Sequence, residues 1–251
     1  MVTVDDVRRA YARIRDSLLL SPCSHSETFS QLSGNRNALA QMNKVKVTLE
    51  EALTIGERNR YIIEGLPLKT YECSQITDGY ATLILATEEG LKKLGVSRAD
   101  AVEIAGYAQA TDPLLTAGRD VLHPAGAYKA MHKAYEMAGV TPADVNVAEV
   151  HDCFSVMGAI GTEVIGKAKP GQGAKYWVEG KARQDGECGI NLSGGLIAKG
   201  HPVGATGVAM LGTCFKQLLG RANAQVKNAK VAATFNVGGT ACASVCTVLK
   251  P

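Results

Sequence analysis

The chain opens with apolar residues spaced three to four positions apart, a period that is typical of an amphipathic helix. This spacing predicts a helix over residues 2–19, with Thr3 as its N-cap. It predicts another over residues 124–138, where Pro124 lies in the first turn and Gly139 follows the end. Shorter stretches with the same period predict further helices at "TLEEALTIGERN", "EEGLKKLG", "FSVMGAIGTEVIG" and "VAMLGTCFKQLLGR".

Runs that are typical of strands lie between these helices. A continuous apolar run predicts a buried strand near residues 79–86. Further strands are predicted at "AVEIAGYAQ", "VNVAEVHDC", "KVAATF" and "ACASVCTVL", the last two joined by the turn "NVGG". Because strands that alternate with helices usually build a layered sheet, the pattern predicts an α/β fold with one antiparallel element.

Two segments interrupt this alternation. Residues 21–70 are polar and mixed, which indicates an excursion over a surface, with Thr48 and Glu51 forming the capping box of a short helix. The stretch "AKPGQGAKYWVEGKARQDGECG" is interpreted as a loop insertion. The best-formed domain is therefore expected over residues 123–251.

The composition limits the classes of function. A net charge of +3, without a run of Lys and Arg interleaved with aromatics, argues against a nucleic-acid partner. Apolar stretches fall short of the roughly 20 residues of a membrane helix, and the start lacks the order of a signal peptide, so we expect a cytoplasmic protein. Seven cysteines without close pairing favour reduced thiols, of which Cys214, Cys242 and Cys246 are interpreted as core.

The segment "HDCFSVMG" places His151 and Cys153 at the end of a predicted strand. Alternation puts both side chains on one side if the strand stays extended. Ordinary strand packing is the alternative, since cysteine is among the most buried residue types. Titratable groups at the carboxyl end of a strand are nevertheless typical of sites in α/β folds, and this position favours a functional role.

The segment "KGHPVGATG" places His201 on a glycine-rich loop before a helix. A fixed imidazole beside oriented backbone N–H groups suits an anionic oxygen. The alternative is a structural turn in which Gly200, Gly204 and Gly207 allow close packing. The pattern is not G-x-G-x-x-G, so a dinucleotide site is not favoured.

The turn "NVGG", from Asn236 to Gly239, lacks large side chains, so its backbone can approach a ligand. Considered alone, it is better explained as a plain hairpin turn. Three of these residues, His151, Cys153 and His201, have side chains of the kinds that bind metal ions. Neither C-x-x-C nor H-x-x-x-H occurs at these positions, and we expect no bound metal.

These motifs together resemble those of one family. "HDCF", "NLSGGLIAKGHPVGATG" and "NVGG", in this order, are similar to the C-terminal half of thiolases, particularly of the sterol-carrier-protein-2 type. "PGQGAKYWVEGKARQDGECGIN" also fits this type. Upstream, "YECSQITDGYATLILA" resembles the return from the thiolase loop domain, and "NRNALAQMNKVKVTLEEAL" resembles part of that domain.

The resemblance implies an α/β fold of five layers, αβαβα, with a complete C-terminal half and a truncated N-terminal half. It divides the chain into a loop-domain-like lead segment at 1–70, a remnant of the N-terminal core at 71–122 and a C-terminal thiolase domain at 123–251. The implied chemistry is acyl transfer between coenzyme A thioesters, by cleavage of a 3-ketoacyl-CoA or by its reversal. Coenzyme A thioesters are then substrates, and no cofactor is permanently bound.

The resemblance also implies residue roles. His201 would activate the nucleophile and help to bind the thioester oxygen, while His151 would contribute to the oxyanion environment. Cys153 would carry the proton to or from the α-carbon, and Gly238 would offer a backbone N–H to the acyl intermediate. Ordinary thiolases place the acid/base cysteine where this chain has Asn236, which agrees with the "HDCF" type.

The acyl-accepting cysteine of thiolases has no match in this chain. Cys23 lies in the loop-like region, and Cys73 matches a strand-entry position of the family. Three explanations stand: a fragment or one part of a split enzyme, a shortened relative that binds acyl-CoA without transfer, or acylation of Cys153 itself. Lys44, Lys46 and Arg58 are candidate contacts for the coenzyme's phosphates, and a solvated surface charge is the alternative for each.

The expected partners follow from the same resemblance. They are acyl-CoA and either further copies of this chain or a partner chain that supplies the N-terminal half, since dimers and tetramers are usual in the family. The apolar "ATLILA" edge would favour such association.

Overall fold

A computed structural model describes residues 48–251 of the chain. The predicted helix at 2–19, Cys23, Lys44 and Lys46 lie outside the described residues. The centre of the described part is a five-stranded sheet with the spatial order β1-β5-β4-β2-β3. Its strands are β1 (Glu103–Thr111), β2 (Val147–Val150), β3 (Gly189–Ile190), β4 (Ala232–Gly238) and β5 (Ala243–Lys250).

The sheet is mixed, because its two sides are connected differently. β2 runs parallel to both β3 and β4, as connections through helices allow. β5 returns from β4 through a short turn and is therefore antiparallel to β4, and it is also antiparallel to the edge strand β1. The α/β class with an antiparallel element, as predicted from the sequence, is confirmed.

Helices flank the sheet in the described part of the chain. They are α1 (Leu49–Leu53), α2 (Glu88–Leu94), α3 (Ala125–Ala138), α4 (Ser155–Val164), α5 (Gly173–Val178), α6 (Gly195–Lys199) and α7 (Thr206–Leu218). Short 3-10 turns occupy Thr70–Glu72, Arg98–Asp100 and Pro142–Asp144. No helix within residues 48–251 is long and apolar enough to cross a membrane.

The helix ends follow the sequence. Thr48 and Glu51 form the predicted capping box of α1, with both reciprocal hydrogen bonds present. Gly95 and Gly139 end α2 and α3 in the left-handed conformation, at φ values of 66° and 62°, where glycine carries no penalty from a β-carbon.

Alternation along the strands divides the core between the two faces of the sheet. On one face, α3 and α4 cover a large cluster that includes Met131, Val150 and Phe235. On the other face, α7 packs Cys214 and Leu218 against the strands. The described chain thus has a layer of helices on each side of one sheet. This αβα arrangement corresponds to one of the two halves of the five-layer fold that the resemblance implies.

The predicted strand at 79–86 is wrong in this structure. These residues carry no strand assignment, and Ile84 and Leu85 are 58% and 74% exposed. An apolar run becomes a strand only when a neighbouring strand accepts its backbone hydrogen bonds. The described residues offer no such neighbour here.

Three other predictions need correction. The stretch interpreted as a loop insertion contains α5, which Trp177 anchors through a hydrogen bond to Thr162 of α4 at 2.8 Å. The strand predicted to reach Cys153 ends at Val150, because the chain turns there toward α4. Cys242 is half-buried at the turn between β4 and β5 and is not a core residue.

The remaining cysteine assignments agree with the structure. Cys214 and Cys246 are fully buried, as the sequence predicts. The turn predicted at "NVGG" starts three residues later in the structure than predicted, because β4 continues through Gly238. The division of the chain at residues 70 and 122 stays a prediction.

The close contact of β1 with α3 generates a test. A β-carbon at Gly106 would lie 2.0 Å from the carbonyl oxygen of Ala134, which is backbone and cannot move away alone. We expect Gly106→Ala to lower the free energy of unfolding by about 2 kcal/mol or more, measured by urea denaturation.

Gly212→Ala is the matched control for this substitution. Its β-carbon would meet only Leu83, at 4.0 Å, within helix α7. Since alanine is the better helix former, this variant should be neutral or more stable by up to about 1 kcal/mol. Equal effects at the two glycines would show that the contact between β1 and α3 is not tight.

Candidate functional site

His151 stands at the carboxyl end of β2 and is held there by the neighbouring strand. Its backbone N–H donates to the carbonyl of Phe235 at 2.9 Å, which extends the parallel ladder between β2 and β4 beyond the last strand residue. The side chain is only 5% exposed. The imidazole is therefore fixed in direction by the sheet itself.

A side chain of β4 fixes the His151 ring. Nδ1 of His151 lies 2.5 Å from Oδ1 of Asn236, near the carboxyl end of the adjacent strand. Burial lowers the pKa of His151 to about 4, and the nearby His201 also lowers it, while the hydrogen bond with Asn236 raises it. The ring is neutral at neutral pH.

His201 lies on the loop between α6 and α7, five residues before α7 begins. Its Nδ1 is 2.8 Å from the hydroxyl oxygen of Thr206, and that hydroxyl donates its own proton to the carbonyl of Pro202 at 3.1 Å. The Thr206 oxygen must therefore accept from Nδ1–H. This leaves Nε2 of His201 with a free lone pair, and burial lowers the pKa of the ring.

The two histidines, fifty positions apart in the sequence, meet in the structure. Their ring centroids are 5.0 Å apart and the ring planes are nearly perpendicular, at 88°. Two neutral imidazoles, each held by a hydrogen bond at Nδ1, thus lie side by side. The structure therefore brings the "HDCF" and "GHP" segments together at these two side chains.

Cys153 follows two residues after His151, where the chain passes from β2 into α4. It is half-buried, and burial raises the pKa of its thiol, with the carboxylate of Asp152 acting in the same direction. A thiol that stays protonated at neutral pH is a proton donor rather than a ready nucleophile. Its role as proton carrier remains a prediction.

One extended segment, residues 73–77, joins the two motifs. The backbone N–H of Ser74 donates to the carbonyl of Cys153 at 2.8 Å. At the next residue, the N–H of His201 donates to the carbonyl of Gln75 at 2.9 Å. The segment therefore bridges the loops that carry Cys153 and His201, and Cys73 serves in this bridge by pairing with Phe154.

Gly238 is the last residue of β4 and is exposed, two positions after Asn236. It pairs with Ala243, and an added β-carbon would meet only that residue, at 3.8 Å. Packing within the chain does not require glycine at this position. Its backbone contact with a ligand stays a prediction.

An open cleft of about 410 Å³ adjoins the His201 loop. One wall is the chain at 77–81, which continues the bridging segment, and the other is the chain at 202–205, directly after His201. The lining of the cleft begins directly after His201 and includes neither His151 nor His201.

Two buried carboxylates, which the sequence reasoning missed, anchor the loop before His201. Glu149 of β2 accepts from the Ser193 hydroxyl at 2.6 Å, and its burial raises its pKa. Asp152 accepts from the backbone N–H of Leu196 at 2.6 Å, and burial raises its pKa to about 6. Glu149 lies between the apolar residues Ala148 and Val150 of β2, and this pattern could have revealed it.

The predicted contacts to phosphates are not brought to this site by the structure. Arg58 forms an ion pair with Glu51 at 2.9 Å, near α1, with its side chain about half exposed. Lys44 and Lys46 lie outside the described residues. Within the described part of the chain, no group of three His, Cys, Asp or Glu side chains is arranged to hold a metal ion.

Comparison with known proteins gives a family match. Residues 108–251 match the family described as "Thiolase C-terminal domain-like". An acetyl-CoA acetyltransferase of Methanothermobacter thermautotrophicus is 34% identical over 232 residues, which cover 92% of this chain and 57% of that protein. Human sterol carrier protein 2 is 40% identical over 176 residues, 68% of this chain and 32% of that protein.

A solved structure shares the fold. The "Ltp2-ChsH2(DUF35) aldolase" superposes with a TM-score of 0.66 over 99% of this chain and 63% of that one, at 14% identity. The chain spans about half the length of the acetyl-CoA acetyltransferases of Methanothermobacter thermautotrophicus and Methanocaldococcus jannaschii that it matches, 57% and 53% respectively.

The buried carboxylate of Asp152 predicts a pH effect on stability. Its pKa is about 6 in the fold against an ordinary value of 3.8, so the folded state takes up a proton that the unfolded state does not. The contribution of this group is complete below the lower value and is lost as the pH rises through the upper one. Lowering the pH from about 7 to about 5 should therefore stabilise the fold by about 1 kcal/mol through Asp152.

Asp152→Asn removes this contribution while it keeps an oxygen to accept from Leu196. Urea unfolding at both pH values gives the difference between wild type and variant, in which the effects of Glu149 and His151 cancel. At the lower pH, the free energy of unfolding of the wild type should increase relative to that of the variant. An unchanged difference would contradict a raised pKa of Asp152.

Proposed function

The chain belongs to the thiolase family through its C-terminal domain, and on that premise we propose that it carries the acid–base part of a thiolase site. The proposed reaction is acyl transfer on coenzyme A thioesters, by cleavage of a 3-ketoacyl-CoA or by formation of acetoacetyl-CoA. The observation that carries the proposal is the pairing of His151 with His201, at 5.0 Å between ring centroids.

His201 is proposed as the base that activates a cysteine nucleophile. Its Nε2 has a free lone pair because Nδ1 is engaged by Thr206. After Nε2 takes the thiol proton, the ring is an imidazolium, and that N–H then donates to the thioester oxygen. The same nitrogen thus acts first as acceptor and then as donor.

Cys153 is proposed as the acid that carries the proton to or from the α-carbon. Delivery of a proton requires the thiol, which the raised pKa of buried Cys153 favours, and removal of a proton requires the thiolate. His151 and Gly238 are proposed to line the side of the thioester oxygen. Proton transfer of this kind typically accelerates a reaction by about 10² to 10⁴, so oriented donors must supply much of the remaining rate.

The nucleophile is proposed to come from a partner chain that supplies an N-terminal thiolase half. Burial raises the pKa of the thiols of Cys73, Cys153, Cys188, Cys214 and Cys246, so none of these five is activated by its surroundings. The exposed apolar residues Ile84 and Leu85 support association with another chain. The alternative is that Cys153 is itself the nucleophile and becomes acylated.

A second candidate function is a non-catalytic subunit that binds acyl-CoA or assists assembly. The raised thiol pKa values favour it, because a protonated thiol attacks a thioester slowly. The open cleft beside His201 would serve binding in either case.

Peptide mass spectrometry after incubation with acetoacetyl-CoA separates the two functions. An acylated cysteine in this chain, or in a co-expressed partner encoded upstream, supports the transferase. Binding of acyl-CoA by calorimetry without any adduct supports the non-catalytic subunit. Absence of both binding and adduct contradicts both functions.

The transferase makes a prediction for His201. In an assay that also contains the co-expressed partner, His201→Ala should slow acetoacetyl-CoA cleavage, followed by the loss of the substrate's absorbance with free coenzyme A present, by about 10² or more. His132→Ala is the matched control, because His132 is exposed on α3 and should leave the rate unchanged. Equal rates for the two variants would remove His201 from the mechanism.

A further inference from the structure

The turn between β4 and β5, residues 239–242, has an uncommon backbone. Gly239 and Ala241 have φ values of 59° and 56°, in the left-handed region. Glycine adopts this region freely, whereas in alanine the β-carbon crowds the following carbonyl oxygen. A residue other than glycine persists there only when its surroundings hold it. The contacts of this turn with the rest of the fold therefore decide its shape.

Arg119, from the segment between β1 and α3, supplies three of these contacts. Its Nη2 donates to the carbonyl and to the hydroxyl oxygen of Thr240, the latter at 2.8 Å. Its Nη1 donates to the carbonyl of Ala241 at 3.4 Å. The planar guanidinium thus bridges two successive residues of a turn that lies 121 positions further along the chain.

The same segment holds the other side of the turn. The backbone N–H of Asp112 donates to the carbonyl of Cys242 at 2.7 Å. The carboxylate of Asp112 accepts from the N–H of Gly126, in the first turn of α3, at 3.0 and 3.1 Å. Asp112 and Arg119 therefore fasten the turn to a helix that is itself part of the core.

The needs of its own side chain do not explain the position of Arg119. Its Nε is buried and has no acceptor within the described residues. A buried donor without a partner costs stability. Exceptions of this kind are typical of functional sites, where a side chain serves a purpose other than stability.

The turn lies next to the histidine pair. Gly238, which ends β4, precedes it directly, and the side chain of Asn236, two positions earlier, lies 2.5 Å from Nδ1 of His151. Because side chains alternate along a strand, positions 236 and 238 face the same side of the sheet. A change in the turn thus moves the main chain of Gly238 relative to the histidines.

We propose that Arg119 is a positioning residue of the candidate site, whose guanidinium holds the turn 239–242 so that the main chain of Gly238 stays beside the histidine pair. This inference rests on the proposed function, because it specifies how Gly238 is kept in place for a thioester. Arg119 acts through the turn and not on the substrate, since its Nη atoms already donate to Thr240 and Ala241.

The position of the turn can be measured without substrate. In the full chain labelled with ¹⁵N-glycine, Arg119→Ala should shift the amide signals of Gly238 and Gly239. The signal of Gly139, at the far end of α3, should stay in place and show that the fold is intact. Unchanged signals of Gly238 and Gly239 in Arg119→Ala would overturn the proposal.

Arg98→Ala is the matched control. Arg98 also donates to main-chain carbonyls, those of Ala101 at 3.2 Å and Pro251 at 3.4 Å, but at the opposite ends of β1 and β5. This variant should leave Gly238 and Gly239 in place. Equal shifts in the two variants would show that loss of any such arginine disturbs the turn, which contradicts a specific role of Arg119.

Guanidinium chloride separates positioning from a general loss of stability. At concentrations far below those that unfold proteins, the free cation should return the two glycine signals of Arg119→Ala toward their wild-type positions, and sodium chloride should not. A merely structural defect would be made worse by guanidinium. Arg119→Lys covers the case in which Arg119→Ala does not fold. It keeps the charge without the planar fork and should shift the same two signals by a smaller amount.

The consequence for the site is measured as the exchange of the methyl protons of acetyl-CoA in D₂O. Arg119→Ala should slow this exchange by about 10²-fold, or weaken the Kd for acetyl-CoA if the wild type only binds. Shifted glycine signals with both quantities unchanged would show that the turn does not serve the site. Since the glycine signals are recorded without acyl-CoA, their failure to shift leaves the transferase proposal standing, and an inactive wild type leaves the result on Arg119 standing.

Discussion

The parallel pairing of β2 with β4 is the interaction on which the candidate site depends. Parallel strands bring their carboxyl ends to the same edge of a sheet, and here those ends carry His151 and Asn236. The backbone bond from His151 to Phe235 sets the register, so that Nδ1 and Oδ1 meet at 2.5 Å. A slip of one residue would turn one of the two side chains to the opposite face.

The second histidine depends on polar groups that the core has to bury. Glu149 lies within β2, and Asp152 follows its end by two residues. Glu149 accepts from the side chain of Ser193 and Asp152 from the backbone of Leu196, so both hold the segment before His201. Burying a carboxylate is costly, as the raised pKa of Asp152 shows, and the hydrogen bonds offset only part of this cost. The fold thus tolerates the cost of burying these two carboxyl groups, and their hydrogen bonds fix the position of the loop that carries His201.

Local patterns in the sequence were sufficient for the elements that have strong local causes. Helix α3 has an apolar stripe and a terminal glycine, and the β4–β5 hairpin has a glycine-rich turn between apolar runs, so both were predicted close to their observed bounds. The predicted strand at 79–86 failed because pairing is a long-range property. An apolar run carries no information about whether a neighbouring strand is present.

The site was only partly predictable for the same reason. His151, Cys153 and His201 stand out because of their residue types and positions after strands or glycines. The sequence predicts Asn236 to be part of a turn, since nothing local indicates that its side chain reaches a histidine 85 positions away. The parallel order of β2 and β4 would have indicated it, but the sheet order could not be derived from periodicity alone.

The central claim is that this chain holds the groups that move a proton at the carbon next to a thioester carbonyl. The most direct measurement is the exchange of the methyl protons of acetyl-CoA in D₂O, followed by proton NMR with the full chain present. The account predicts loss of the methyl signal with wild type and no such loss with Cys153→Ala. Binding of acetyl-CoA by the wild type without any exchange would contradict the claim.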